Sequence, residues 1–348
     1  MKALTVQSPN RIEIIDAPKP KPGPREVLAK VSYCGICATD IAIVSGLSNF
    51  VESGWVHYPV RIGHEWSGII EEIGSEVLDL KPGDHVVADD GVPCLSCKTC
   101  LQGNYAFCPS GRSVGTVGNF WDGAFAEYMC MPAQLVYKLK PETDLKEAAL
   151  IEPASIAMHG IVKSRFKAGE KALVIGTGPI GLACAALLRA IGASVVMVMG
   201  RRDSKLEYAK KMGADILINN KNQDAKAAVM QFTNGFGADV VFETSGNLEA
   251  FQTCMEYVRL GGRVALLGFY EKKLDGFDID QLVLKAVDMV GVAGMPNVAP
   301  TVIDLLESGR ISLKPMITGV YPFEKVQEAI QKVIENDGNR IKVLVEFK

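Results

Sequence analysis

Five uninterrupted apolar runs constrain this chain more than any other feature. They are Ala172-Leu173-Val174-Ile175, Val195-Val196-Met197-Val198, Ile216-Leu217-Ile218, Val240-Val241-Phe242 and Val264-Ala265-Leu266-Leu267. Helical patterns separate them, and Asp288-Met289-Val290-Gly291-Val292 is a candidate sixth run. A strand that is apolar at every position is buried on both faces, as in a parallel sheet with a helix layer on each side. The spacing therefore predicts an α/β doubly wound domain over residues 153–294. Residues 1–152 have a different texture: short alternating runs are broken by turn signals such as Lys81-Pro82-Gly83-Asp84 before His85-Val86-Val87-Ala88. That pattern predicts an antiparallel, barrel-like β domain. Residues 295–348 hold a helix, a turn at Gly309 and a closing strand from Lys342 to Phe347, and are expected to return to the first domain.

The first buried run leads into Gly176-Thr177-Gly178-Pro179-Ile180-Gly181 and then into an apolar helix, Leu182 to Ile191. A glycine fingerprint that closes a strand and opens a helix is a dinucleotide signature. The first glycine permits the turn, the second lets backbone approach a pyrophosphate, and the third lets helix and strand pack closely. The free N–H groups at the helix start then face the phosphates. Gly176, Gly178, Pro179, Ile180 and Gly181 are the predicted cradle. The next strand ends in Met199-Gly200-Arg201-Arg202-Asp203, without the acid that would bind a free ribose. Arg201 and Arg202 suit a 2′-phosphate instead, which predicts NADP(H) ahead of NAD(H). Ser204 to Glu207 reads as a capping box, placing Asp203 just before the helix cap.

The nine cysteines are odd in number, which argues against a disulfide framework. Cys94, Cys97, Cys100 and Cys108 lie close enough on one loop to close a thiolate shell around a structural zinc. Iron–sulfur ligation and four metal-free thiols are the alternatives. A dispersed set comprises Cys37 in Gly-Ile-Cys, His64 and Glu65 in Gly-His-Glu, and Glu152 in Ile-Glu-Pro. Each residue taken singly also reads as a buried thiol, a core histidine or a helix N-terminal acid. Together they read as an open zinc site.

At these residues, with Lys81-Pro82-Gly83-Asp84, the glycine turn and the closing strand, the whole chain resembles the medium-chain zinc-dependent alcohol dehydrogenase family. Leu150-Ile151-Glu152-Pro153-Ala154-Ser155 resembles its polyol, sorbitol dehydrogenase-like branch. The resemblance implies a chaperonin-10-like β-barrel catalytic domain, built from both chain ends, plus a Rossmann domain. It implies two zinc ions per chain. The catalytic one is held by Cys37, His64 and Glu152, with Glu65 beside it as an exchangeable ligand. Thr39 matches the hydroxyl that relays the substrate's proton, and Asp40 is a partner orienting His64. The family's relay histidine position is Ala42 here, so a longer or water-filled proton path is implied.

The implied reaction moves a hydride between a nicotinamide and a secondary hydroxyl of a polyol or sugar, the alternative being a secondary alcohol or a threonine-type amino alcohol. A non-enzymatic crystallin-like protein and a zinc-free quinone reductase are disfavoured by the intact metal residues. The stretch from Ser45 to Tyr58 is the candidate substrate wall, where Trp55, His57 and Tyr58 either touch substrate or pack. A net charge of -3 argues against a nucleic-acid partner. No apolar run reaches the ~20 residues of a membrane helix. The expectations are a cytoplasmic enzyme and, by family analogy, a homo-tetramer or dimer.

Overall fold

The computed structural model describes residues 1–47, 49–52, 54, 56–114, 120–335 and 338–348. Contacts divide the chain into two units: Met1–Glu152 with Gly294–Glu307 and Ile317–Lys348, and Pro153–Ala293 with Ser308–Met316.

In the first unit, β1 (Lys2–Ser8) and β2 (Arg11–Asp16) form an antiparallel hairpin. The central strand is β3 (Glu26–Gly35), followed by helix α1 (Ala38–Ser45). Strands β4 (Glu65–Ile73), β5 (His85–Ala88), β6 (Tyr128–Pro132) and β7 (Val136–Lys138) complete the N-terminal part of a seven-stranded sheet. β3 pairs antiparallel with both β4 and β6. The alternation of the sequence places Val27, Ala29 and Val31 in a core with Leu4, Trp66, Val86 and Met129.

Helix α2 (Ile151–Lys163) follows. The second unit then lays down β8 (Lys171–Ile175), β9 (Val195–Gly200), β10 (Ile216–Asn219), β11 (Ala238–Glu243), β12 (Val258–Leu266) and β13 (Asp288–Gly291). All neighbours are parallel, in the order β10-β9-β8-β11-β12-β13. The chain winds outward in both directions from β8, so strand order reverses between β8 and β11. Open α/β sheets bind ligands at such a point, at the carboxyl ends of the strands. Helices α3 (Pro179–Ala190), α4 (Asp203–Lys211), α5 (Ala225–Phe232) and α6 (Leu248–Tyr257) link the successive strands from β8 to β12. Val174, Val198 and Val241 are fully buried.

Three local readings need correction. Helix α3 starts at Pro179, three residues before Leu182, because proline's fixed φ and missing N–H suit the first helical position. Asp203 does not precede a cap: Arg202 is the N-cap, in extended conformation, and Asp203 opens α4. Its carboxylate accepts from Asn219 Nδ2 at 2.6 Å and sits at the positive end of the helix. β12 begins at Val258, six residues before the apolar run, and carries a register irregularity there.

The chain returns to the first unit as α7 (Ala299–Glu307), β14 (Ile317–Pro322), α8 (Val326–Glu335) and β15 (Lys342–Glu346). β15 runs antiparallel to β3 and parallel to β14. Phe323 stacks on Phe347, ring centroids 4.7 Å apart. Ser308–Met316, inside this tail, groups with the second unit. No helix among the described residues is long and apolar enough to cross a membrane.

Candidate metal centre and dinucleotide cradle

Gly35 ends β3 opposite Glu65, the first residue of β4. A Cβ at Gly35 would lie 2.2 Å from Glu65 Oε2, so only glycine leaves room for that carboxylate. Two residues on, Cys37 caps α1, and its N–H donates to Asp40 Oδ2 at 2.8 Å. The other Asp40 oxygen accepts from Gly63 N at 3.1 Å and lies 3.8 Å from His64 Nδ1. One fully buried carboxylate thus ties the Cys37 turn to the His64 loop. Burial raises the Asp40 pKa to about 6, against the pull of His64.

Cys37, His64 and Glu65 offer ligand atoms that all lie within 4.8 Å of one another. Glu152, in the first turn of α2, is outside that cluster but is buried and interacts electrostatically with His64, Glu65 and Cys37. Burial holds its carboxyl well above the ordinary value, against the attraction of His64. Burial works against the His64 imidazolium as well, but Asp40 and Cys37 outweigh it and raise that pKa. A half-buried thiol with a buried imidazole and carboxyl, and a second buried carboxyl nearby, is a donor set that a divalent cation would satisfy. Thr39 Oγ1 stands 3.8 Å from Cys37 Sγ, at the edge of the cluster.

Sequence reasoning missed Lys342. Its ammonium, 3% exposed, lies 2.6 Å from both Glu65 oxygens and donates to Ile36 O at 3.2 Å. Burial disfavours its charge, yet Glu65 and Cys37 overcome that and raise its pKa. The available signal was a lysine in an otherwise apolar closing strand, Ile341-Lys342-Val343-Leu344-Val345. Its partner lies on another strand, distant in sequence.

In the candidate substrate wall, Trp55 lies outside the described residues. Tyr58 donates its hydroxyl to Ile43 O at 2.5 Å and packs on the core, while His57 is exposed.

Cys94, Cys97, Cys100 and Cys108 converge within 4.8 Å. Cys94 Sγ accepts from Cys97 N at 3.3 Å, and Cys108 Sγ from Cys94 N at 3.3 Å. Backbone donors at Ser96 and Cys97 lower the Cys94 thiol to about 6, so a thiolate forms readily. All nine cysteines are free of disulfides.

In the second unit, Gly176 has φ +122, a conformation that favours glycine. A Cβ on Gly178 would meet nothing within 4 Å, which leaves the approach to the turn open to a ligand. A Cβ on Gly181 would come within 2.2 Å of Gly176 O, so the third glycine is what lets α3 pack on the turn. Pro179 and Ile180 form the first turn of α3. These are the features a pyrophosphate needs. Arg201 and Arg202 are exposed at the end of β9. Gly200 has a steric reason of its own, since a Cβ there would lie 2.7 Å from Thr177 Cγ2.

Residues 23–141 match the alcohol dehydrogenase GroES-like domain, and residues 179–308 the zinc-binding dehydrogenase domain. Sorbitol dehydrogenase of Bacillus subtilis is 33% identical over 347 residues, covering 99% of this chain and 97% of that protein. L-threonine 3-dehydrogenase of Pyrococcus abyssi is 36% identical over 323 residues, covering 92% of this chain and 91% of the relative. A zinc-binding dehydrogenase from Sinorhizobium meliloti, solved bound to NADP, superposes with a TM-score of 0.89 at 29% identity, covering 99% of this chain and 98% of that one. With a GroES-like unit, a doubly wound unit and full-length relatives of this similarity, the chain belongs to the zinc-binding alcohol dehydrogenase family.

Proposed function

We propose that this chain is a zinc-dependent, nicotinamide-linked dehydrogenase acting on a secondary hydroxyl of a polyol or sugar. The observation that carries the reading is the Cys37–His64–Glu65 cluster, with His64 and Glu65 buried and Cys37 half-buried, and with Glu152 nearby. Cys37, His64 and Glu152 would hold the catalytic zinc, with Glu65 as the neighbouring acid. Cys94, Cys97, Cys100 and Cys108 would hold a second, structural one. When bound, zinc supplies Lewis-acid polarisation of a substrate oxygen, and the nicotinamide supplies or accepts the hydride. The chain's own residues do the rest. Asp40 orients the Cys37 turn and the His64 loop, Lys342 neutralises Glu65, and Thr39 passes a proton away from the cluster. The glycine turn at Gly176–Gly181 would seat the pyrophosphate.

The sorbitol dehydrogenase relative and the Glu152-Pro153 wording support a polyol. The threonine dehydrogenase relative supports a second reading, an amino alcohol. A panel of polyols, secondary alcohols and L-threonine, each with NAD and NADP, tests both. If simple monohydric alcohols turn over far more efficiently than every sugar alcohol, the polyol reading fails, and L-threonine as the best substrate would establish the second. Zinc content distinguishes the two-site reading, since one zinc per active chain would refute it.

We propose NADP(H) ahead of NAD(H), on the strength of Arg201 and Arg202. A charge-assisted hydrogen bond is worth ~1.5–3 kcal/mol, about tenfold or more in discrimination. Because Gly200 has no room for a Cβ, the test is Arg201→Ala with Arg202→Ala. The ratio of NADP to NAD efficiency should fall by about tenfold, and an unmodified enzyme favouring NAD would overturn the assignment. Exposed Ile279, Val283 and Leu284 near β13, the edge strand of the parallel sheet, support a homo-oligomer. Light scattering on the purified protein tests it, a monomer refuting it.

A further inference from the structure

Glu243 ends β11, the strand that pairs with β8 beside the glycine turn, and no solvent reaches it. Its carboxylate is fully engaged. Oε1 accepts from Ser245 N at 2.8 Å and from the Ser245 hydroxyl, while Oε2 accepts from Gly246 N at 3.1 Å and Tyr270 OH at 2.6 Å. An ionised carboxylate has about four lone-pair sites and no donor, so four converging donors match it and no neutral amide can replace it.

What this carboxylate holds is the corner packed against the glycine turn. Thr244, the next residue, donates both its N–H and its hydroxyl to Ile175 O at 2.9 Å, bridging β11 to β8. Its hydroxyl oxygen lies 2.5 Å from where a Cβ on Gly176 would be, and 2.7 Å from where one on Gly181 would be. Thr244 therefore sits against the first and third glycines of the fingerprint. Gly246 has φ +63, and a Cβ there would meet Phe269 O at 2.4 Å. A Cβ on Gly268 would meet Gly246 N at 2.3 Å. The 244–246 corner is thus pressed between the glycine turn and the 268–270 loop, and the Glu243 side chain is bonded to both the corner and that loop.

We propose that Glu243 is a positioning residue of the dinucleotide site, holding the Thr244–Gly246 corner in register with the Gly176–Gly181 turn and so setting cofactor affinity. The inference rests on the reading of that turn as the dinucleotide cradle. In Glu243→Gln the amide nitrogen faces two donors, and one side of the corner is released. In Tyr270→Phe only the bond from the outer loop is lost, with burial unchanged.

The test measures NADPH and NADH affinity by the fluorescence of the bound nicotinamide, together with cofactor KM, kcat and melting temperature, on the zinc-loaded full chain. Val264→Ala, at a fully buried position of β12, serves as a stability control. Glu243→Gln should weaken cofactor binding by about tenfold or more, and its rise in cofactor KM should exceed its fall in kcat. Tyr270→Phe should weaken binding by a smaller factor in the same direction, and it keeps the proposal testable if Glu243→Gln does not fold. Val264→Ala should lower the melting temperature with cofactor KM unchanged. Affinity that follows melting temperature across all three variants, or normal affinity in Glu243→Gln or Tyr270→Phe, would overturn the proposal. An unmodified enzyme that binds neither nucleotide would instead overturn the cradle reading.

Discussion

Replacing Lys342 with methionine keeps the side-chain length and removes the ammonium that faces Glu65. In the native protein that ammonium makes two contacts of 2.6 Å to the carboxylate, and both side chains are almost wholly buried. Solvent screening is therefore slight. Removing one member of a buried pair leaves an uncompensated charge, which costs about 3–5 kcal/mol. For a domain of this size each kcal/mol shifts melting by about 2–4 °C, so Lys342→Met should lower the transition of the first unit by roughly 6–20 °C. The three tryptophans, Trp55, Trp66 and Trp121, all fall within residues 1–152 of the sequence, so tryptophan fluorescence follows that part of the chain selectively. The double variant Glu65→Gln with Lys342→Met removes the orphaned charge and should recover most of the loss. A shift below about 2 °C, or a double variant no more stable than Lys342→Met alone, would refute this account of the pair.

Further outcomes follow from other sites. Asp89, whose Oδ2 accepts from Tyr137 at 2.9 Å while its Oδ1 has no partner, is raised by burial from 3.8 to about 7. The folded protein thus binds more protons than the unfolded chain between those values, and stability should fall as pH rises from about 4 to about 7. Asp89→Asn should flatten that slope in pH-dependent melts, and an unchanged slope would exclude Asp89 as its source. Gly181→Ala drives a methyl to within 2.2 Å of Gly176 O, so nicotinamide binding should be lost while the tryptophan-monitored transition stays in place. Normal binding would show that the turn does not seat the cofactor. Cys37→Ser or Glu152→Ala should abolish or strongly reduce turnover with the fold intact, whereas Cys97→Ser should chiefly lower thermal stability, because a closed thiolate site contributes folding free energy. Zinc analysis and melting of the three proteins check this, and retained turnover in Cys37→Ser would remove that residue from the site.

Local chemistry is what the sequence carried. Five apolar runs dictated a buried parallel sheet because a strand covered on both faces has no use for polar residues. Gly176, Gly178 and Gly181 announced a tight strand-to-helix turn because Gly176 takes a positive φ, Gly178 leaves the turn open and Gly181 lets the helix pack on it, and the spacing of Cys94, Cys97, Cys100 and Cys108 put four thiols on one loop. Boundaries were less legible. Asp203 looked like a residue before the cap, but Asn219, on the neighbouring strand, holds it as the first residue of its helix. Only the tertiary structure joined what lies far apart in the chain. Lys342 reaches Glu65 because β15 returns to pair with β3, and a charge can be buried there only because its counter-charge is already in place. Glu243 became visible for the same reason, since its donors come from the two loops that follow the neighbouring strands β11 and β12. Periodicity and turn chemistry are properties of neighbouring residues and are written in order along the chain. The pairing of buried charges depends on which strands end up adjacent, and no local pattern specifies that.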